Sequence, residues 1–186
     1  MSYAYEKYLQ EVLIDEATLQ ARIAEIGAKI SADYDGLGDL MLICILKGGV
    51  MFLTDLMRRI TIPHEIDFLS VSSYGRGIRE STGDVRIDMD LKGLVTNKHL
   101  LIVEDIIDSG HTLRFVMDVL NARRPASIRL CTLLDKPSRR TTTIKIDYVG
   151  FQIADKFVFG YGLDLDEKFR NLPFVGVANL EAIQND

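Results

Sequence analysis

Leu100-Leu-Ile-Val103 runs without interruption into Glu104-Asp105-Ile-Ile-Asp108-Ser109-Gly110-His111-Thr112 near the middle of a 186-residue chain. Four aliphatic residues with no polar break predict a strand buried on both faces, as in the interior of a parallel sheet. From Thr112 to Ala122, Leu113, Val116, Met117 and Leu120 follow the i, i+3, i+4, i+7 spacing of a helix with one apolar side. The stretch therefore reads as strand, loop, helix, with three carboxylates, two hydroxyls and a glycine at the junction. A helix start presents unpaired backbone N–H groups and partial positive charge, which suit a phosphate. Gly110 permits close approach, Ser109 and Thr112 add donors, and Glu104-Asp105 suits vicinal ribose hydroxyls or a Mg²⁺ held through water. The Gly-Lys-Ser/Thr ending of a Walker A loop is absent. A plainer reading makes Asp108 or Ser109 a helix cap and leaves the acids solvated. Their place directly after an apolar strand favours function, because ligands of doubly wound sheets sit beyond the carboxyl ends of the strands.

Moving outward, Leu40 to Leu46 is a second continuous apolar run, followed by Lys47-Gly48-Gly49 and a helix from Val50 to about Arg59. Ile66 to Ser72 and Ile128 to Leu134 read as further strands. Val85, Ile87 and Met89 alternate with charges as in a half-exposed edge strand. Upstream, Leu19, Ile23, Ile26 and Ile30 line one face of a helix over Glu16 to Tyr34, with Asp15 as its N-cap. Strands alternating with single helices imply an α/β, doubly wound parallel sheet.

Length and composition predict one domain spanning 1–186, with no repeat or linker. Apolar residues at 47% and charged residues at 26% exclude a disordered chain, and a net charge of −5 argues against nucleic acid or an anionic membrane as partner. Cys44 and Cys131 lie inside apolar runs and read as buried, reduced thiols. Met1 to Glu11 offers no apolar stretch for a signal peptide, and no run is long enough to span a membrane, so a cytoplasmic protein is expected. His64 and His99, beside strand starts, read as structural. Lys136 and the Arg139-Arg140 pair, taken alone, read as solvated cations.

Val103 to Thr112 resembles the phosphoribosyl-pyrophosphate (PRPP) motif of type I phosphoribosyltransferases, and the hypoxanthine-guanine branch of that family in particular. Leu46-Lys-Gly-Gly49, Ser72-Ser-Tyr-Gly75, Leu134-Asp-Lys-Pro137, Asp155-Lys-Phe-Val158 and Gly160-Tyr-Gly-Leu-Asp164 agree in order, with Arg170 beyond. The resemblance covers about residues 10 to 180. It implies a mostly parallel sheet flanked by helices, with a small hood formed by the N- and C-terminal segments. The implied reaction is purine salvage: a 6-oxopurine joins PRPP to give IMP or GMP and pyrophosphate. The resemblance assigns Ser109, Gly110, His111 and Thr112 to the 5′-phosphate. It assigns Glu104 and Asp105 to the ribose hydroxyls and Mg²⁺, and Asp108 to N7 of the purine as general acid/base. Lys47, Gly48 and Arg170 would meet the pyrophosphate, and the Leu46–Lys47 peptide is cis in many relatives. Lys136 would donate to the exocyclic oxygen, Phe157 would stack on the base, Val158 would supply backbone contacts, and Asp164 would hold a second metal. Phe157 from pattern alone could equally be core. Residues 73–84, including Ser73 and Tyr74, would form a mobile lid, a reading that Gly75, Gly77 and Gly83 share. A homodimer or homotetramer is implied.

Two other classes compete. A PRPP- and RNA-binding regulator of the same fold should show a basic face or an added domain. A flavodoxin-like module would leave Glu104-Asp105 and Lys47-Gly48-Gly49 without purpose. Within the enzyme class, a xanthine- or adenine-preferring enzyme is the nearest rival, and Leu134-Asp-Lys136 with Lys156-Phe-Val158 favours a 6-oxopurine.

Overall fold

Two sheets of unequal size carry the chain, and the larger one sets out the site. The structure, a computed structural model, describes residues 5–73 and 85–185. The larger sheet is built from β2 (Leu40–Leu46), β3 (His64–Ser73), β4 (Val85–Met89), β5 (His99–Ile107), β6 (Ser127–Asp135) and β7 (Tyr148–Gln152). Their order is β4-β3-β2-β5-β6-β7, and every neighbouring pair is parallel except β3 with β4.

Both faces of β2 and β5 are covered, which is why these strands read as continuous apolar runs. Leu40, Leu42 and Cys44 pack with Leu101 and Val103 against α1 (Glu16–Tyr34) and α2 (Val50–Met57). Met41, Ile43 and Ile45 face the other way with Leu100 and Ile102, against Leu113, Val116 and Leu120 of α3 (His111–Asn121). Alternation along each strand sends one set to each layer. Asp15 caps α1, accepting from the Thr18 N–H at 2.8 Å, as expected. Cys44 and Cys131 are buried free thiols. The His64 ring bonds to the Ile62 carbonyl, and that of His99 to Ser127 and the Leu37 carbonyl.

The smaller sheet is the hood. β1 (Leu9–Ile14), β9 (Val175–Ala178) and β8 (Val158–Phe159) pair antiparallel in that order, and α4 (Leu180–Gln184) follows. Chain segments near the two ends meet here, as the resemblance implies. No described helix is long and apolar enough to cross a membrane.

Three expectations need correction. β5 does not stop at Val103; it carries Glu104 and Asp105 inside the ladder, where Glu104 pairs with Thr132 and Ile107 with Asp135. α2 ends at Met57, because Arg58 and Arg59 close a tight last turn. The crossover from β6 to β7 holds no α-helix, only a 3₁₀ turn at Pro137–Arg139, so helices and strands do not alternate throughout. Ser73 ends β3, whereas Tyr74 and the rest of the expected lid lie outside the described residues.

Candidate active site

At the carboxyl ends of β2, β5 and β6, three loops converge. Neither Asp108 nor Ser109 caps α3: the N-cap is Gly110, at φ 88, with no side-chain cap. A Cβ there would sit 2.8 Å from Ile144 Cδ1 and 3.3 Å from Arg140 Cδ, in a conformation that favours glycine. Arg114 is the first residue of α3 whose N–H reaches a carbonyl behind it, that of Gly110 at 2.9 Å. The N–H groups of the first turn have no helical acceptor and border a cavity of about 290 Å³ lined by Glu104, Ile106, Asp108, Ser109 and Thr112. His111 is exposed, and its ring nitrogens lie 3.0 and 2.9 Å from the hydroxyls of Thr141 and Thr142. Its side chain is thereby committed to the neighbouring loop, and its backbone N–H is what it has for an anion.

Successive strand residues face opposite ways, and the acid pair divides accordingly. Glu104 lines the cavity beside α3. Asp105 turns to the Lys47-Gly48 loop, so that a Cβ on Gly48 would lie 1.6 Å from its Oδ2. Burial and the neighbouring Asp105 charge hold the Glu104 carboxyl well above the usual range. Burial likewise raises Asp105 to about 6, against hydrogen bonding from backbone N–H groups and the pull of Arg170. Glu104 Oε2 is shut from solvent with no hydrogen-bond partner. A carboxylate is acceptor-only, so this arrangement suits a donor hydroxyl or a cation.

The Leu46–Lys47 peptide is cis, as the resemblance implies. Gly162, at φ +98, packs so closely that a Cβ would stand 2.1 Å from the Gly48 carbonyl oxygen. Arg170 donates to the Gly162 carbonyl at 2.9 Å and pairs with Asp164 at 2.9 Å. Glu167, which the sequence reading passed over, bridges the two cations expected to meet pyrophosphate: Lys47 at 2.7 Å and Arg170 at 3.3 Å. Its only signal was an acid three positions before Arg170.

Just after β6, Lys136 is buried, not solvated, and its Nζ lies 3.5 Å from Asp108 Oδ1 and 3.8 Å from Asp155 Oδ1. Arg140 is also largely withdrawn from water. Its guanidinium pairs with the buried carboxylate of Asp135 and donates to the Asp108 carbonyl at 2.9 Å. Arg139 keeps the expected exposure and pairs with Asp155 at 3.6 Å. Asp155 also lines a cleft of about 590 Å³ with Phe157, Val177 and Leu180. Phe157 is 51% exposed, which excludes the core reading and leaves a ring available for stacking. Val158 is buried in the hood, pairing with Val177. Of the expected site residues, Tyr74 lies outside the described part. The others gather around these three loops and the hood, apart from Ser73, known here only as the end of β3.

Residues 13–168 match the family model for the phosphoribosyl transferase domain, and the chain belongs to that family of group-transfer enzymes. A curated relative from Haemophilus influenzae, named hypoxanthine phosphoribosyltransferase, is 48% identical over 178 residues, covering 95% of this chain and 99% of its own. The crystal structure of a Staphylococcus aureus hypoxanthine phosphoribosyltransferase superposes with a TM-score of 0.92 at 45% identity, covering 97% of each chain. A Trypanosoma cruzi hypoxanthine phosphoribosyl transferase, studied for the role of its C-terminal region in oligomeric state and activity, gives 0.91 at 36% identity, covering 100% of this chain and 97% of that one.

Proposed function

We propose that the chain transfers the 5-phosphoribosyl group of PRPP to hypoxanthine or guanine, giving IMP or GMP and pyrophosphate. The observation that carries the base assignment is the Lys136 ammonium 3.5 Å from the Asp108 carboxylate. A donor beside an acceptor matches the edge of a 6-oxopurine that presents O6 next to a protonated N7. As the N9 lone pair forms its bond to C1′, the bond from C1′ to the diphosphate oxygen breaks and the N7 proton passes to Asp108. Phe157 would stack on the base and the backbone near Val158 and Asp164 would meet its 2-position. The α3 N-terminus with Ser109 and Thr112 would hold the 5′-phosphate. Lys47, Gly48 and Arg170 would hold the leaving diphosphate.

Mg²⁺ fits the acids present. Glu104 carries a buried oxygen without a partner, and Asp105 and Asp164 stand beside the diphosphate loop. Among the described residues no group of three or more His, Cys, Asp or Glu gathers for a metal. Mg²⁺ commonly takes one or two carboxylates and completes its shell with water and substrate phosphates. Bound there, Mg²⁺ would neutralise charge on the diphosphate. The buried free thiols suit the cytoplasm as the proposed setting. A homodimer or homotetramer is proposed by analogy with the T. cruzi relative, whose C-terminal region bears on its oligomeric state.

The test is product formation from PRPP and Mg²⁺ with four bases. Hypoxanthine and guanine should react well, xanthine weakly and adenine negligibly. Adenine would set an amino donor against the Lys136 ammonium, a mismatch worth about 10⁴-fold in sites built on such a bond. Preference for adenine would overturn the assignment of Lys136 and the function with it.

A further inference from the structure

We propose that Arg140 and Asp135 are positioning residues: a buried strut that fixes the Asp108 carboxylate against the Lys136 ammonium so that the two meet the base as a pair. The inference rests on the function proposed above.

Asp108 ends one strand-and-loop and Lys136 ends the next, so their separation depends on how the ends of β5 and β6 are held together. The Asp108 side chain is 47% exposed, and packing does little to set its direction. Its backbone is instead gripped from below. Arg140 Nε donates to the Asp108 carbonyl at 2.9 Å, and Nη2 lies 3.5 Å from the Ile107 carbonyl. The same Nη2 pairs with Asp135, the residue before Lys136. The Lys136 N–H closes the circuit by donating to the Ile107 carbonyl at 3.0 Å. One guanidinium thus touches the chain on both sides of the reacting edge. Its stem also comes within 3.3 Å of the Cβ position of Gly110, at the start of the phosphate loop.

Stability alone does not account for this pair. The Asp135 side chain is 7% exposed and that of Arg140 17%, and two charges so far from water are often replaced by apolar groups without loss. An apolar pair could not donate to two carbonyls at once. The planar fork of arginine can, and Asp135 holds the fork in the required plane.

The test is steady-state kinetics with hypoxanthine, PRPP and Mg²⁺. Arg140→Met keeps the stem against Gly110 and removes the fork. It should lower kcat by about 10²-fold, the scale of a misplacement near 1 Å, and leave KM for PRPP unchanged. Arg140→Lys keeps a charge for Asp135 and lacks the fork, so it should also lose kcat. Asp135→Asn combined with Arg140→Met leaves no lone buried charge, and it decides the matter if Arg140→Met does not melt cooperatively. Added to Asp108→Asn, Arg140→Met should cost little more, because it acts through that carboxylate. A kcat near that of the parent in Arg140→Lys or in the charge-free double variant overturns the strut. So does a loss confined to KM for PRPP, or one that multiplies in full onto Asp108→Asn. If the parent protein itself forms no product from either oxopurine, the functional reading falls and the strut with it. An active parent with unaffected variants removes the strut alone.

Discussion

Asp105→Asn should make the metal-free protein more stable at neutral pH while damaging its activity. Burial raises the Asp105 carboxyl from 3.8 to about 6, so holding it ionised in the folded chain works against folding. Between those two values the folded protein binds more protons than the unfolded one, and stability therefore falls as pH rises. Above about 6 the loss is complete. At about 1.4 kcal/mol per pH decade, the displacement corresponds to about 3 kcal/mol at most. For a chain of this size that is about 6–12 °C in Tm. Asparagine keeps the shape and an acceptor oxygen for the Ile106 N–H, which Asp105 Oδ1 accepts at 2.8 Å. The assay is thermal unfolding of both proteins with chelator, from pH 4 to 7.5. The variant should melt higher at pH 7.5, and the gap should narrow towards pH 4, near the unfolded value of 3.8, below which the parent carboxyl is protonated in both states. PRPP with Mg²⁺ should raise Tm of the parent more than that of the variant. A variant no more stable than the parent at pH 7.5, or a gap independent of pH, would refute the claim that burial strains this carboxylate.

Asp108→Asn should lower kcat by about 10²–10⁴-fold, the scale of a general acid–base group, with little change in PRPP affinity measured by calorimetry. Near-normal kcat would exclude proton transfer at this position. Gly162→Ala places a Cβ 2.1 Å from the Gly48 carbonyl at φ +98. It should cost about 1–3 kcal/mol in denaturant unfolding and raise KM for PRPP through the diphosphate loop, and an unchanged KM would separate the two loops. Excess chelator should abolish turnover and added Mg²⁺ restore it, whereas full turnover in chelator would remove the metal from the scheme.

Much of the larger sheet was legible because its inner strands are buried on both sides. Leu40–Leu46 announces itself as a run that nothing else in a chain of this kind would need, and the structure shows both layers that cover it. Short hood strands gave no comparable signal. Val158–Phe159 is two residues long, and its identity as a strand depends on Val177 and Gly176, far along the chain. Among the site residues, those in glycine-rich or acidic loops after strands could be found by position and by family resemblance. Arg140 and Glu167 could not, because an arginine in a polar loop and a glutamate in an acidic turn look solvated until their partners are known. Asp135, at the end of an apolar run, reads as a strand terminus, and only the fold shows that it is the counter-ion of Arg140.

The error over the end of β5 has the same origin as the stability prediction. Local reasoning stops a buried strand at its first charge, since a carboxylate in a ladder has lost its water. Here the ladder continues: Glu104 pairs with Thr132, and the register runs on to Ile107 opposite Asp135. The cost of that continuation is visible as two carboxyls raised by burial, one of them with an oxygen left without a partner. In return, the strand carries the acids on a rigid element, Glu104 toward the cavity beside α3 and Asp105 toward Lys47 and Gly48. A loop could have solvated both acids but would not have fixed them on opposite sides of one backbone. Local rules of sequence fail at functional sites when function needs what those rules forbid. Charge where water is scarce is such a need, because a cation or a row of hydroxyls binds most strongly to acids that have no other partner.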